Sequence, residues 1–255
     1  MSWDWQVFCQ DTIEREVVQG CFGKGGDITY LDWMLSAWGW TVSVSLLSLA
    51  LALVLGGLIG TLRTLQGRPW VVRLGNAWVE LFRNIPLLVQ LFLWYFVMPE
   101  LLPESVGNAF KQTNPIMQQF LASMVCLALF TSARVAEQVR SGINSLPPGQ
   151  KNAGLAMGFT LPQTYRYVML PMAVRLIVPP LTSEFLNIFK NSAVCSTIGL
   201  LELAAEGRQL VDYTAQPYES FIAVTLAYLL INVVVMFGMR WVEEHVRVPG
   251  YLGGK

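Results

Sequence analysis

The sequence predicts an all-α integral membrane protein with five transmembrane helices, its N-terminus outside and its C-terminus inside. Three observations predict it. Of 255 residues, 54% are hydrophobic and 13% charged, about half the charged share of a soluble domain. Five apolar stretches are long enough to cross a hydrocarbon core as helices, each closing its backbone hydrogen bonds within itself. Cations collect in alternate connections, and cytoplasmic loops are the ones that retain Lys and Arg. The net charge of zero gives no footing for nucleic acid. A single histidine, His245, argues against a histidine-rich metal or catalytic site.

The first span, Trp40 to Leu62, carries no charge, and its Gly56 and Gly60, with Gly57 beside them, form a face that a neighbouring helix can approach closely. The second runs from about Trp78 to Met98 with Glu80 and Arg83 near its start; Pro86 within it removes a donor and predicts a kink. The third, about Met117 to Gln138, carries Arg134 and Glu137 near its end. The fourth, about Val178 to Leu201, contains Glu184 and Lys190, and the last, Ser220 to Met239, is uncharged. Residues 1–39 hold Arg15 and Lys24 against six acids, which places that end outside; no continuous apolar core in residues 1–33 marks a signal peptide. Arg63, Arg68 and Arg73 then mark an inner connection, Lys111 an outer one, Arg140, Lys151, Arg166 and Arg175 an inner one, Arg208 among four acids an outer one, and Arg240, Arg247 and Lys255 an inner tail. Trp38, Trp40, Trp78, Trp94 and Trp241 sit at span ends, where aromatic belts form. Cys9 and Cys21 share one hydrophilic segment and pair only if it lies in an oxidising compartment; Cys126 and Cys195 read as packing residues.

Charges within spans are costly against lipid, by about 2.5 to 3.5 kcal/mol each at the bilayer centre, so they call for a polar interior or a partner. At ~1.5 Å per residue, Arg83 and Glu184 lie roughly 8 to 9 Å in from the cytoplasmic ends of their spans, Arg134 roughly 6 Å and Lys190 roughly 18 Å. Glu184, Asn187 and Asn191, spaced i, i+3 and i+7, form one polar stripe, with Lys190 about 100° from Asn191. Two readings stand: a substrate pathway through Arg83, Arg134, Glu184, Asn187, Lys190 and Asn191, or an inner salt-bridge layer in which Arg134 or Arg83 pairs with Glu184.

The connection from Val139 to Val178 is long and punctuated by glycine and proline, and loops of such length are usually functional. Lys151 to Met157 predicts a short helix of small residues. Gly158 ends it with a residue that accepts positive φ, and Thr160 caps a second helix starting near Leu161 and Pro162. A compact helix-turn-helix of this kind suits insertion into a partner's groove.

At this loop the chain resembles the inner-membrane permeases of ATP-binding-cassette importers, whose signature is Glu-Ala-Ala, a glycine after three further residues, and Ile-x-Leu-Pro after nine more. The counterparts are Asn152-Ala153-Gly154, Gly158 and Val168-Met169-Leu170-Pro171, with the spacing intact and with Asn152 and Gly154 departing from the usual Glu and Ala. The runs Glu80-Leu81-Phe82-Arg83-Asn84-Ile85-Pro86, Ala136-Glu137-Gln138-Val139-Arg140-Ser141-Gly142-Ile143, Pro148-Gly149-Gln150 and Glu184-Phe185-Leu186-Asn187-Ile188-Phe189-Lys190-Asn191-Ser192 extend the resemblance to the polar amino-acid branch. Trp94 to Glu104 and Thr131 to Glu137 are most similar to permeases of glutamate/aspartate importers. Most relatives in the branch have Tyr where this chain has Arg134, and a guanidinium there suits a substrate with two carboxylates.

The resemblance implies the fold of a type I importer transmembrane domain, with a periplasmic segment over 1–36, a permease domain over 37–243 and a cytoplasmic tail over 244–255. It implies that the loop over about 139–177, through Asn152, Ala153, Gly154, Gly158, Leu170 and Pro171, docks on ATPase subunits. The implied partners are a second, related permease in a heterodimer, two cytoplasmic ATPases, a periplasmic binding protein, membrane lipid and a small amino acid; the implied location is the bacterial inner membrane. No G-x-x-x-x-G-K-[ST] occurs in the chain, so its energy is expected to come from elsewhere, and no cofactor or metal is expected. The competing function is a secondary transporter using Glu184 as an ion site. A membrane enzyme is disfavoured by the want of a Ser/His/Asp set.

Overall fold

The computed structural model describes residues 3–23, 28–65 and 67–246. Lys24 and Asp27 of the charge count, and residues 247–255 of the expected tail, lie outside the described residues. The helices are α1 Tyr30–Leu62, α2 Pro69–Asn84, α3 Leu87–Leu101, α4 Glu104–Lys111, α5 Pro115–Asn144, α6 Pro148–Ala156, α7 Leu161–Ile198, α8 Leu203–Thr214 and α9 Pro217–Val246. Among the described residues β-structure is confined to two isolated bridges, Gln10 with Val17 and Asp11 with Thr29. Four helices, α1, α5, α7 and α9, are long and apolar enough to cross a membrane, and α2 with α3 makes the fifth if that broken pair counts as one span.

The helices outrun the apolar stretches because hydropathy marks only the part that lipid requires. α1 starts ten residues before Trp40, where Thr29 and Asp32 exchange hydrogen bonds: the Thr29 amide donates to Asp32 Oδ2 at 3.0 Å and the Asp32 amide to Thr29 Oγ1 at 3.3 Å. This is the reciprocal logic of a capping box. α5 continues six residues beyond Gln138, and α9 runs on to Val246. The second span is broken, not kinked: α2 ends at Asn84, Ile85 is extended at φ −89° and ψ 130°, and α3 resumes after Pro86. The proline ring disfavours the helical region for the residue before it. Of the 139–177 connection, only residues 145–147 and 157–160 are non-helical. Leu170 and Pro171 therefore stand inside α7, where a π-helical turn over Tyr165–Met169 precedes Pro171 and absorbs the irregular backbone a proline imposes.

The chain divides into two compact units. Unit 1 comprises residues 1–47, 87–126 and 189–233; unit 2 comprises 48–86, 127–188 and 234–255. In unit 1 a Cys9–Cys21 disulfide closes the N-terminal segment, and Val7 and Tyr30 are buried with Leu210 of α8. The Asp4 amide donates to Glu219 Oε1 at 2.9 Å. Glu202 caps α8 by accepting from the Ala204 and Ala205 amides, while the Leu203 amide donates to Thr41 Oγ1 at 3.1 Å. Glu206, in the first turn of α8, is buried, and that burial pushes its carboxyl up to about 7. Cys126 is buried among Leu91, Ala122 and Ile198, as a packing residue would be.

In unit 2, α1 meets α5 along the glycine face. A Cβ on Gly56 would fall 2.6 Å from Val135 Cβ and 2.7 Å from the Ser132 carbonyl; one on Gly60 would fall 2.7 Å from the Ala136 carbonyl and from Val139 Cβ. Gly57 faces open space and takes no part in this seam. Val135, Val139 and Ile143 of α5 continue into a core with Tyr165, Met169, Ala173 and Ile177 of α7. Trp78 here, and Trp40 in unit 1, pack instead of lying free at an interface: Trp78 Nε1 donates to Ser132 Oγ at 3.2 Å, and Trp40 stacks edge-on to Phe120. Trp38 and Trp241 are exposed, as a belt requires, and α9 leaves Leu226, Leu229, Leu230, Val234 and Phe237 exposed, a surface suited to hydrocarbon.

Gly56→Val is expected to destabilise the chain by about 3 kcal/mol or more, since backbone on both sides must move; Gly57→Ala should be neutral. Yield of monodisperse protein and apparent melting temperature in detergent check both. For Glu206 the folded carboxyl binds its proton more tightly than the unfolded one. Its contribution is therefore full below the ordinary value of 4.5 and is lost as pH rises toward about 7. The melting temperature should fall between pH 5 and pH 8 by more in the native chain than in Glu206→Gln, and equal falls would refute the assignment.

Candidate functional site

The polar side chains of unit 2 gather on α1, α2, α5 and α7. Glu137, on α5 one residue past the Gly60 contact, is the centre. Arg63 Nη2 donates to its Oε1 at 2.8 Å, Arg140 Nε to its Oε2 at 3.4 Å, and Arg83 Nη1 lies 3.7 Å away. Arg63 also donates from Nε to Asn76 Oδ1 at 2.8 Å, and its side chain is 5% exposed. Three guanidiniums around one carboxylate remove the cost of an isolated charge while leaving the cluster net positive.

One turn earlier on α5, Arg134 lies over the ring of Phe130, its Cζ 4.8 Å from the centroid, a cation–π placement. Its Nη1 stands 4.0 Å from Glu184 Oε2, with Arg134 41% exposed and Glu184 buried. At that separation the two are an ion pair without a hydrogen bond, so donors of Arg134 remain open to a ligand. Asn187, half-buried, follows Glu184 by three residues on the same face of α7.

Of the six residues expected to line a pathway, unit 2 thus brings together Arg134 and Glu184, with Asn187 beside the latter. Arg83 pairs with Glu137, not with Glu184 as the salt-bridge reading allowed. Lys190 is exposed and Asn191 half-buried, and both belong to unit 1. Glu137, Arg63, Arg140 and Asn76 are not among the site residues the sequence singles out: Arg63 and Arg140 lie just beyond the apolar stretches, where they read as loop cations. The available signal was Gly60 followed by Arg63, which carries the cation one turn along from the close-packed face.

The expected docking elements are also in unit 2. Thr160 and Gln163 close a capping box, with the Thr160 amide donating to Gln163 Oε1 at 2.8 Å, and Gly158 has φ +85°, in the left-handed region. On α6, Asn152, Ala153 and Leu155 are exposed, as is Met157 just past its end. Gly154 is buried against Thr164, where a Cβ would meet Thr164 Cγ2 at 2.8 Å. Leu170 is half-buried and Pro171 exposed.

The model of the binding-protein-dependent transport system inner membrane component matches residues 52–248. The chain belongs to that family. Among curated relatives, the permease is 52% identical to the glutamate/aspartate import permease protein GltJ of Escherichia coli (strain K12), over 100% of this chain and 99% of that one. It is 31% identical to the glutamine transport system permease protein GlnP of the same strain, over 82% of this chain and 90% of that one. Among solved structures it resembles a chain of an amino acid ABC transporter crystallised with histidines, at 27% identity and TM-score 0.71, covering 85% of this chain and 95% of that one. It also shares its fold with a chain of the MetNI methionine ABC transporter in an inward-facing conformation, at 21% identity and TM-score 0.70, covering 86% and 98%.

The permease is therefore a membrane-embedded, non-catalytic transport subunit of the ABC class, whose relatives work with ATPase partners. That membership sets aside the secondary transporter built on Glu184. Removing the central carboxylate leaves a buried Arg63 without its counter-charge, only Asn76 still accepting from it, so Glu137→Gln should cost about 2 kcal/mol or more. Glu184→Gln, whose single cation is half-exposed, should cost about 1 kcal/mol or less. Melting temperatures of the two purified variants compare them, and a larger loss at Glu184 would contradict the ranking.

Proposed function

We propose that this permease conducts acidic amino acids, glutamate or aspartate, across the bacterial inner membrane. In this reading it pairs with a second, related permease, receives substrate from a periplasmic binding protein, and is driven by two cytoplasmic ATPases. The observation that carries the substrate class is Arg134: a half-exposed guanidinium held over Phe130 and within 4.0 Å of Glu184 without being consumed by it. An acidic amino acid offers carboxylates to Arg134 and an ammonium to Glu184, and Asn187 can accept or donate to either end. The full-length likeness to a permease named for glutamate/aspartate import supports the same class.

The orientation has residues 1–36 in the periplasm, the permease domain over 37–243, and the tail from 244 inside. The alternation of cations supports it, and so does the Cys9–Cys21 disulfide, which belongs in an oxidising compartment. On that orientation α6 and its flanks face the cytoplasm. Exposed Leu155 and Met157, the latter 75% exposed, beside Asn152 and Ala153 give a small, partly apolar knob fit for a groove on an ATPase. Leu170 and Pro171, inside α7 after its π-helical turn, belong to the same cytoplasmic region on this reading.

Arg134→Tyr is expected to lower glutamate and aspartate uptake by about ten-fold or more, the worth of a charged hydrogen bond, while copurification with the ATPase is unchanged; equal loss of both would make Arg134 structural. Gly158→Val imposes a β-branched residue on a positive φ. It should abolish uptake and leave ATP hydrolysis unresponsive to substrate without preventing membrane insertion, and normal uptake would remove this turn from coupling.

A further inference from the structure

Apart from the Arg134–Glu184 pair, unit 2 contains a polar cavity of about 320 Å³, lined by Arg63, Asn76, Glu80, Arg83, Glu137 and Arg140 among others. Its volume suits a small metabolite. Three guanidiniums face two carboxylates, so it carries a surplus positive charge. Arg63 is buried, and although Nε and Nη2 are engaged, Nη1 is buried with no hydrogen-bond partner among the described residues. An unpaired buried donor on a cation is costly, and a small shift of Arg63 toward the cavity would bring it to an anionic oxygen there. Arg83 and Arg140 are 52% and 42% exposed, free to turn toward such a ligand. Glu137 already shows which chemistry the cluster accepts, because its carboxylate takes hydrogen bonds from two of the three guanidiniums and lies beside the third.

We propose that the Arg63–Arg83–Arg140 cluster is a second anion site in the permease, one that takes a carboxylate of the transported amino acid, with Glu137 as its built-in competitor. The proposal rests on the substrate reading above. Two features link the sites. Glu137 follows Arg134 by one turn of α5, about 4.5 Å along the helix, and Arg83 Nη1 lies 3.7 Å from that Glu137. A substrate carboxylate leaving Arg134 thus has the arginine cluster one helical turn away. The internal carboxylate keeps the site from holding its ligand tightly: substrate must displace Glu137 to enter, and Glu137 displaces substrate to leave. Arg63, Arg140 and Asn76 join the specificity-determining residues on this account, and Glu137 sets the rate of release.

The test is equilibrium binding of radiolabelled glutamate to the purified, complete importer in nanodiscs of phosphatidylethanolamine and phosphatidylglycerol, with the binding protein omitted. An Arg134→Tyr background silences the first site. There, Arg140→Gln should weaken residual binding by about ten-fold and Glu137→Gln should tighten it by a similar factor, each the worth of one charged contact. Arg140 is exposed enough that its variant does not depend on how well Glu137→Gln folds. Affinities unchanged in both variants would overturn the proposal, as would inorganic phosphate displacing glutamate at equal concentration. Uptake by the native importer, measured in parallel, separates the two readings: an importer that moves no acidic amino acid yet binds glutamate through Arg140 refutes the substrate class and keeps the anion site.

Discussion

The backbone contact of α1 with α5 at Gly56 and Gly60 is the constraint on which the polar interior of unit 2 depends. With side chains at those two positions the helices could not approach until carbonyls at Ser132 and Ala136 were displaced. Because they do approach, Arg63, three residues past Gly60, reaches Glu137, the next residue after Ala136, at 2.8 Å. Gly75 continues the same economy of space on α2: the methylenes of Arg63 lie against it, so the guanidinium can also meet Asn76. In a membrane there is no hydrophobic force between helices. Close packing and polar pairing must hold them, and here the first places the second.

The charges of this region are arranged to be satisfied but not all consumed. Glu137 draws on three arginines, whereas Arg134 and Glu184 stand at the limit of pairing. A fully closed salt bridge would leave nothing for a ligand, and an unpaired charge would be too costly to bury. The intermediate geometry leaves one end of Arg134 open while Phe130 holds its position.

Much of this was legible in the sequence because lipid imposes a strong rule: long uncharged runs must be helices. The glycine face at Gly56 and Gly60, the positive φ of Gly158 and the cap at Thr160 were all readable from local chemistry. The break after Asn84 was read too mildly, since Pro86 alone does not say whether Ile85 stays helical. The helical content of 139–177 was under-read because a π-helical turn before Pro171 has no simple sequence mark. The Glu137 hub was invisible for another reason. Whether Arg63 snorkels to the surface or turns inward to a helix 74 residues away is decided by tertiary packing, which periodicity on one helix does not encode.

On the proposed function, the turn at Gly158, with its positive φ, and the exposed end of α6 are the part acted upon, and the Arg134–Glu184 pair on α5 and α7 is the part that yields. The permease in this account is a gate that stores no energy of its own. Uptake of glutamate into proteoliposomes holding the complete importer, compared with vesicles from which only the ATPase is omitted, tests this most directly. The account predicts ATP-dependent accumulation in the first and none in the second under any imposed proton or sodium gradient; gradient-driven accumulation without the ATPase would contradict it.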